Sequence, residues 1–235
     1  MSDDQGISGS SEWVPFMQRL ETRYQSVSGL TDRRDYKIYY SPVRSAAILT
    51  LGDNPGGDPK EIRPGAPGAS ASDGYFENNE HDLLDCSWPE NQVLKLLVPL
   101  VGGARERVRE QVVKTNLAFR RSRTNKALAF GIGQAMDEAV PFLEEILAVV
   151  QPSLVHLSGP NIEEFSRRYG SGSIALTTPI RDSTVRKTVF DAAKIRVRKT
   201  NRETLVVQTS HASQFSWTYE KYSVMQRIKQ LGFVW

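Results

Sequence analysis

Apolar residues in this chain fall into short runs that switch between a helical and an extended period, and the switching sets out the elements. Over Glu12 to Ser26, the positions Val14, Phe16, Met17, Leu20 and Tyr24 share one helical face. Ala46-Ala47-Ile48-Leu49-Thr50-Leu51 is an unbroken run of strand length. It predicts a strand over 45–51, ending at Gly52-Asp53-Asn54-Pro55-Gly56. Gln111–Leu117, Ser153–Leu157 and Thr204–Ser210 read as further strands, with Tyr36–Tyr40 and Ser173–Thr177 as short extended pieces. Helices are expected over Pro89–Leu100, whose proline is tolerated in the first turn, and over Ala135–Val150. Others are expected after Ser158-Gly159-Pro160-Asn161 through Tyr169, over Thr184–Lys199 with a basic face, and over Trp217–Leu231.

Strands alternating with helices predict an α/β fold: a three-layer α/β/α sandwich with a central, mostly parallel sheet. Residues 1–10 are polar and rich in Gly and Ser, which predicts a loose tail. Residues 11–235 are expected to form one domain, with the helix at 11–27 packed on as an extension. The stretch from Pro55 to Gly74 is dense in Gly, Pro, Ala and Ser. A loop of that length inside a compact domain is usually functional or mobile.

Composition narrows the class. The chain has 235 residues, 39% hydrophobic and 24% charged, enough to bury a sizeable core. The net charge is only +3, so its distribution matters more than its sign. Basic residues gather at 105–126 and from Arg181 to Arg202. Each stretch reads either as a solvated helix face or as a surface for a polyanion. The single cysteine, Cys86, excludes an internal disulfide and any cysteine-based metal cluster. Met1-Ser2-Asp3-Asp4 lacks the basic and apolar regions of a secretion signal. The apolar stretches Val93–Val101 and Phe142–Val150 are too short to span a bilayer. A cytoplasmic, monomeric protein with no membrane contact is expected.

The candidate chemistry sits at strand ends. In open α/β sheets, polar residues just beyond the carboxyl ends of strands line the ligand crevice. Here such a crevice would hold the Asp53 carboxylate, the Asn54 carboxamide and the imidazole of His211 in His211-Ala212-Ser213. That set suits hydrolysis of a polarised bond.

Gly52-Asp53-Asn54-Pro55-Gly56, followed far downstream by His211-Ala212-Ser213, resembles the motif pair of the uracil-DNA glycosylase superfamily. Between them, Val112-Val113-Lys114-Thr115-Asn116-Leu117 looks like the strand that presents that superfamily's base-reading Asn. The resemblance implies a DNA glycosylase that flips a pyrimidine out of DNA and hydrolyses its N-glycosidic bond. Such an enzyme must stabilise charge on the departing base and place a water at the sugar carbon. His211 is assigned the base carbonyl and Asn54 the water. Asp53 is a departure from the usual motif, open to readings as a general base, a stabiliser of the sugar cation, or a solvent-facing turn residue. Asn116 offers a donor and an acceptor to a base edge, or else caps the turn after its strand. Phe76, ahead of Tyr75, takes the stacking position under the flipped base. Phe215 matches the apolar wedge that fills the gap in the duplex, with a core role expected for Trp217. Ser213, Gly56, Arg120 and Arg121 are the expected DNA contacts. Ala212 and Gln214 stand where the superfamily's loop often has prolines, which leaves that loop less stiff.

Neither motif carries a lysine for a Schiff base, so a monofunctional enzyme leaving an abasic site is expected, with no metal or organic cofactor. Small residues from Gly56 through Ser72 would not close the pocket against a large base. A bulky modified cytosine, such as the glucosylated hydroxymethylcytosine of phage DNA excised by one defensive branch of the superfamily, is therefore a candidate target beside uracil. Two other readings stand: a non-catalytic module of the same fold that recognises uracil or damaged bases, and an α/β enzyme acting on a small phosphorylated ligand.

Overall fold

The computed structural model describes residues 10–32, 34–57, 59–61, 92–128 and 130–234. It is an α/β fold built on one seven-stranded sheet. The strands are β1 (Ile48–Gly52), β2 (Val112–Asn116), β3 (Leu154–Ser158), β4 (Gly170–Ala175), β5 (Ile180–Asp182), β6 (Lys187–Val197) and β7 (Arg202–Thr209). Their order is β2-β1-β3-β7-β6-β4, with β5 also paired to β6. The first four strands of that order run parallel. The wing formed by β6, β4 and β5 is antiparallel.

Helices cover both faces. On one, α1 (Ser10–Ser28), α4 (Gly131–Val150) and α5 (Ile162–Tyr169) meet Leu49, Leu51, Val113, Val155, Leu157 and Val206 from the sheet. The expected extension α1 is part of this core. Met17, Leu20 and Tyr24 are buried in it, and Tyr24 donates a hydrogen bond to Glu138 of α4 at 2.6 Å. On the other face lie α2 (Gln92–Leu97), α3 (Arg105–Gln111), α7 (Trp217–Lys221) and α8 (Val224–Gln230). They cover Ile48, Val112, Leu154, Leu205 and Val207.

The stretch 184–199 is not a helix. Residues 187–197 form the long strand β6, paired antiparallel to β7 from Phe190↔Thr209 to Val197↔Arg202. Its apolar residues serve both faces: Ala193, Ile195 and Val197 enter one core, Phe190 and Ala192 the other. Only its first half is buried on both faces; Ala193-Lys194-Ile195-Arg196-Val197 alternates buried and exposed, a strand period that the expected basic helix passed over. The hairpin closes through Asn201 at φ +54°, a left-handed conformation that Asn tolerates. This strand is also why the sheet is only parallel in its first four strands. The expected last helix is likewise two, α7 and α8, broken at Ser223 with φ +50°.

The second face of the sheet positions the site. Side chains two apart on a strand share a face, so Ile48 is followed there by Thr50, Val112 by Lys114, Leu154 by His156 and Val207 by Thr209. Each parallel strand thus starts apolar on that face and ends polar at its carboxyl end.

Candidate active site

These carboxyl ends form the floor of a cleft of about 860 Å³. Asp53, Asn54, Asn116 and His211 all line it, together with Tyr40, Lys114, Ser158, Gly159 and Ser210. The early motif and the late motif are joined through Gly159, just after β3. Its φ is +111°, a value that favours glycine. A Cβ built there would lie 3.2 Å from Asp53 Oδ2 and 3.2 Å from the Cδ2 of His211. The missing side chain is what lets carboxylate and imidazole approach the same point. His211 also starts the short helix α6 (Ala212–Phe215), its carbonyl accepting from the amides of Gln214 and Phe215.

Asn54 is held at its nitrogen. Its Nδ2 donates to the carbonyl of Pro55 and to Ser122 Oγ, both at 3.0 Å, and more weakly to the Arg120 carbonyl at 3.4 Å. Carbonyl oxygens only accept, so the amide orientation follows from the network. Ser122 Oγ donates its own hydrogen bond to the Thr124 carbonyl. The backbone is zipped alongside, with Ala118 N–H donating to Asp53 O and Ser122 N–H to Pro55 O. With Nδ2 committed, the carbonyl oxygen is the end of Asn54 left for a small ligand or water.

Asn116 is buried at 5% exposure, and its Nδ2 donates to Tyr40 Oη at 3.0 Å. Its register partner on β1 is Gly52. A Cβ on Gly52 would stand 2.5 Å from Asn116 Oδ1, so glycine is required there for the amide to lie where it does. Gly56 lines the cleft too, its carbonyl held by Arg121 Nη1 at 2.5 Å.

The expected DNA contacts divide. Arg120 does not face the cleft. It pairs with Glu138 at 2.6 Å and donates to the Ser28 carbonyl, a tie between the strand-end loop and the helical layer. Arg121 lines the same separate 210 Å³ pocket as Arg120. Among the described residues, the cations that line the cleft are instead Lys114, Arg123 and Lys187, with Asp53 the one acid. Phe215 is half-buried beside the cleft with the Lys187 ammonium 5.8 Å from its ring centre. Trp217 is not a core residue: it is exposed, with Lys221 5.2 Å from its ring. Tyr75, Phe76, Cys86 and the Ser213 side chain lie outside the described residues, as does the loop at 62–74 whose small residues suggest room for a large base.

His156 is absent from the expected site. It is fully buried under the cleft floor. Nδ1 meets Thr50 Oγ1 at 3.0 Å, and Nε2 meets Thr209 Oγ1 at 2.9 Å. Tyr219 Oη joins the same group, 2.6 Å from Thr209 Oγ1. Burial lowers the imidazole to about 3, so the ring is neutral, and burial pushes the Tyr219 phenol up to about 12. This network ties β1, three residues before Asp53, to β7, two residues before His211. Its signal in the sequence is a polar residue at the strand position that shares a face with Thr50 and Lys114.

No protein-family model matches the chain, and a search of curated proteins finds no match. Among the described residues, no group of three or more His, Cys, Asp or Glu could hold a metal ion, and no helix is long and apolar enough to cross a membrane.

Proposed function

We propose that this protein is a monofunctional DNA glycosylase of the uracil-DNA glycosylase type, releasing a pyrimidine base from DNA and leaving an abasic site. One observation carries the reading. The carboxamide of Asn54, the carboxylate of Asp53, the imidazole of His211 and the carboxamide of Asn116 come from three strand ends and line one cleft. The helices on both faces of the sheet also accord with the three-layer fold that the motif resemblance implies.

The chemistry follows from the parts. A water held by the Asn54 carbonyl oxygen attacks C1′ of the flipped nucleotide. The C1′–N1 bond breaks and its electron pair goes to the base. His211 donates a hydrogen bond to a base carbonyl as negative charge builds there, which is the largest kind of contribution an enzyme makes to such a step. Asp53 takes the proton of the attacking water and steadies the cationic sugar. The base leaves as an anion and takes a proton from solvent. Arg123 and Lys187 hold backbone phosphates at the rim, and Phe215 enters the gap in the duplex. The protein acts on DNA as a cytoplasmic monomer, and the hydrolysis needs no cofactor.

The test is release of base from duplexes carrying uracil, hypoxanthine or glucosylated hydroxymethylcytosine, read as strand breaks after alkaline cleavage of abasic sites. His211→Ala and Asn54→Ala are expected to lose about 10²–10³-fold in turnover while still binding DNA. Duplex binding without release of any base by the wild-type protein would make it a non-catalytic reader and end the enzymatic reading.

A further inference from the structure

The cleft holds a cation that the three motifs leave unexplained. Lys114 stands two residues before Asn116 on β2, so both side chains share the face that lines the cleft. It is only 8% exposed. Its ammonium lies 4.6 Å from the centre of the Tyr40 ring, whose hydroxyl accepts the hydrogen bond from Asn116. Tyr40 is fixed in turn: its amide donates to the Lys114 carbonyl at 3.2 Å, and Ser41 Oγ accepts from the Lys114 amide at 2.7 Å. Lys37 covers the same ring at 3.9 Å. Opposite this wall, Gly52 leaves the floor empty beside Asn116.

Lysine is seldom this buried without a charged or electron-rich partner, and an electron-rich ring face is such a partner. At 8% exposure in the floor of the cleft, its charge acts on whatever enters more strongly than it would in bulk solvent. Asn116 leaves Oδ1 as an acceptor beside Gly52 while Lys114 adds a donor, so a base carbonyl oxygen beside Lys114 would be attracted, and more so as the base becomes an anion.

We propose that Lys114, in the subsite it shares with Tyr40 and Asn116, is a further catalytic residue taking up the charge of the departing base. The assignment rests on the glycosylase reading. In the step concerned, the C1′–N1 electron pair moves into the ring and onto its carbonyl oxygens, where the Lys114 ammonium faces it; no bond to Lys114 forms.

The test is single-turnover release of uracil and of 5-fluorouracil by the wild-type protein, Lys114→Met and Lys114→Arg. Fluorine withdraws electrons and makes the base a better leaving group, so it needs less help. Lys114→Met is expected to slow uracil release about 100-fold and 5-fluorouracil release by about tenfold less, with Lys114→Arg recovering most of the loss. Misfolding or a general packing defect slows both bases by one factor, so equal losses would overturn the proposal. So would a borohydride-trapped adduct to Lys114, which would make the amine a nucleophile. If no base is released from any duplex, the glycosylase reading falls and binding decides the subsite. Barbiturate, an acceptor-edged pyrimidine that is an anion at neutral pH, should then bind more tightly than neutral uracil by calorimetry. That preference should vanish in Lys114→Met, and its absence in the wild-type protein refutes the subsite.

Discussion

Acid should destabilise this protein through His156 as the pH falls below about 6.5. The imidazole has an ordinary value of 6.5 and is held near 3 in the folded chain by complete burial. Its folded value is depressed, so the unfolded chain binds a proton that the folded chain refuses throughout the window from about pH 6.5 down to about 3. Stability is therefore unaffected above 6.5 and falls as pH drops through the window, by up to about 1.4 kcal/mol per pH unit. Between pH 7 and pH 5 the loss amounts to about 2 kcal/mol. For a chain of this size that is about 4–8 °C in Tm. Asp32 and Asp182 are also held low, by hydrogen bonds from Arg34 and from Lys221 and Tyr222. Their contribution is lost only as the pH falls through their unfolded value of 3.8, below the two pH values compared. The assay is urea unfolding of the wild-type protein and of His156→Asn at both pH values. The substitution itself costs about 1–3 kcal/mol by leaving Thr50 and Thr209 without their partner. That cost cancels when the wild-type minus variant gap at pH 7 is compared with the gap at pH 5. The gap should narrow by about 2 kcal/mol on acidification. An unchanged gap would mean that the ring takes up a proton in the folded state, and the account of a dry network beneath the cleft would be wrong.

Gly52→Ala should drive a methyl group onto Asn116 Oδ1; it is expected to cost about 1–3 kcal/mol by overpacking and to raise the Kd for DNA bearing the target base more than the Kd for the abasic product. Gly159→Ala combines a positive φ with a tight approach to Asp53 and His211. Backbone strain of about 1–3 kcal/mol is expected in thermal unfolding, with kcat falling further than KM rises. Arg123→Ala and Lys187→Ala should each lower the slope of log affinity against log salt by about one for duplex DNA, measured by fluorescence anisotropy, whereas Arg120→Ala should leave that slope unchanged.

Much of the frame was legible in the chain. Ile48–Leu51 and Leu154–Leu157 are buried on both faces as central parallel strands are, and mostly apolar runs of that length announce them without any knowledge of their neighbours. The polar residues that end β2 and follow β1 and β7 mark the crevice end of such strands by the same logic. β6 was legible only in part. Ala193-Lys194-Ile195-Arg196-Val197 carries a period of two, but Val189-Phe190 and Ala192-Ala193 fit a helix as well, and pairing with β7 decides for the strand.

The side-chain assignments divide in the same way. Residue type and position after a strand pointed to Asp53, Asn54, Asn116 and His211, because the end of a strand in a parallel sheet is a place that local sequence defines. Which cations would face that place was a matter of tertiary packing. Arg120 and Arg123 are three apart on one short segment, yet Glu138 draws the first into the helical layer while the second lines the cleft. Lys114, His156 and Gly159 took on their roles only when β1, β2, β3 and β7 were laid side by side. A strand's own residues determine its pattern, but what its polar positions meet is decided by the strands that fold beside it.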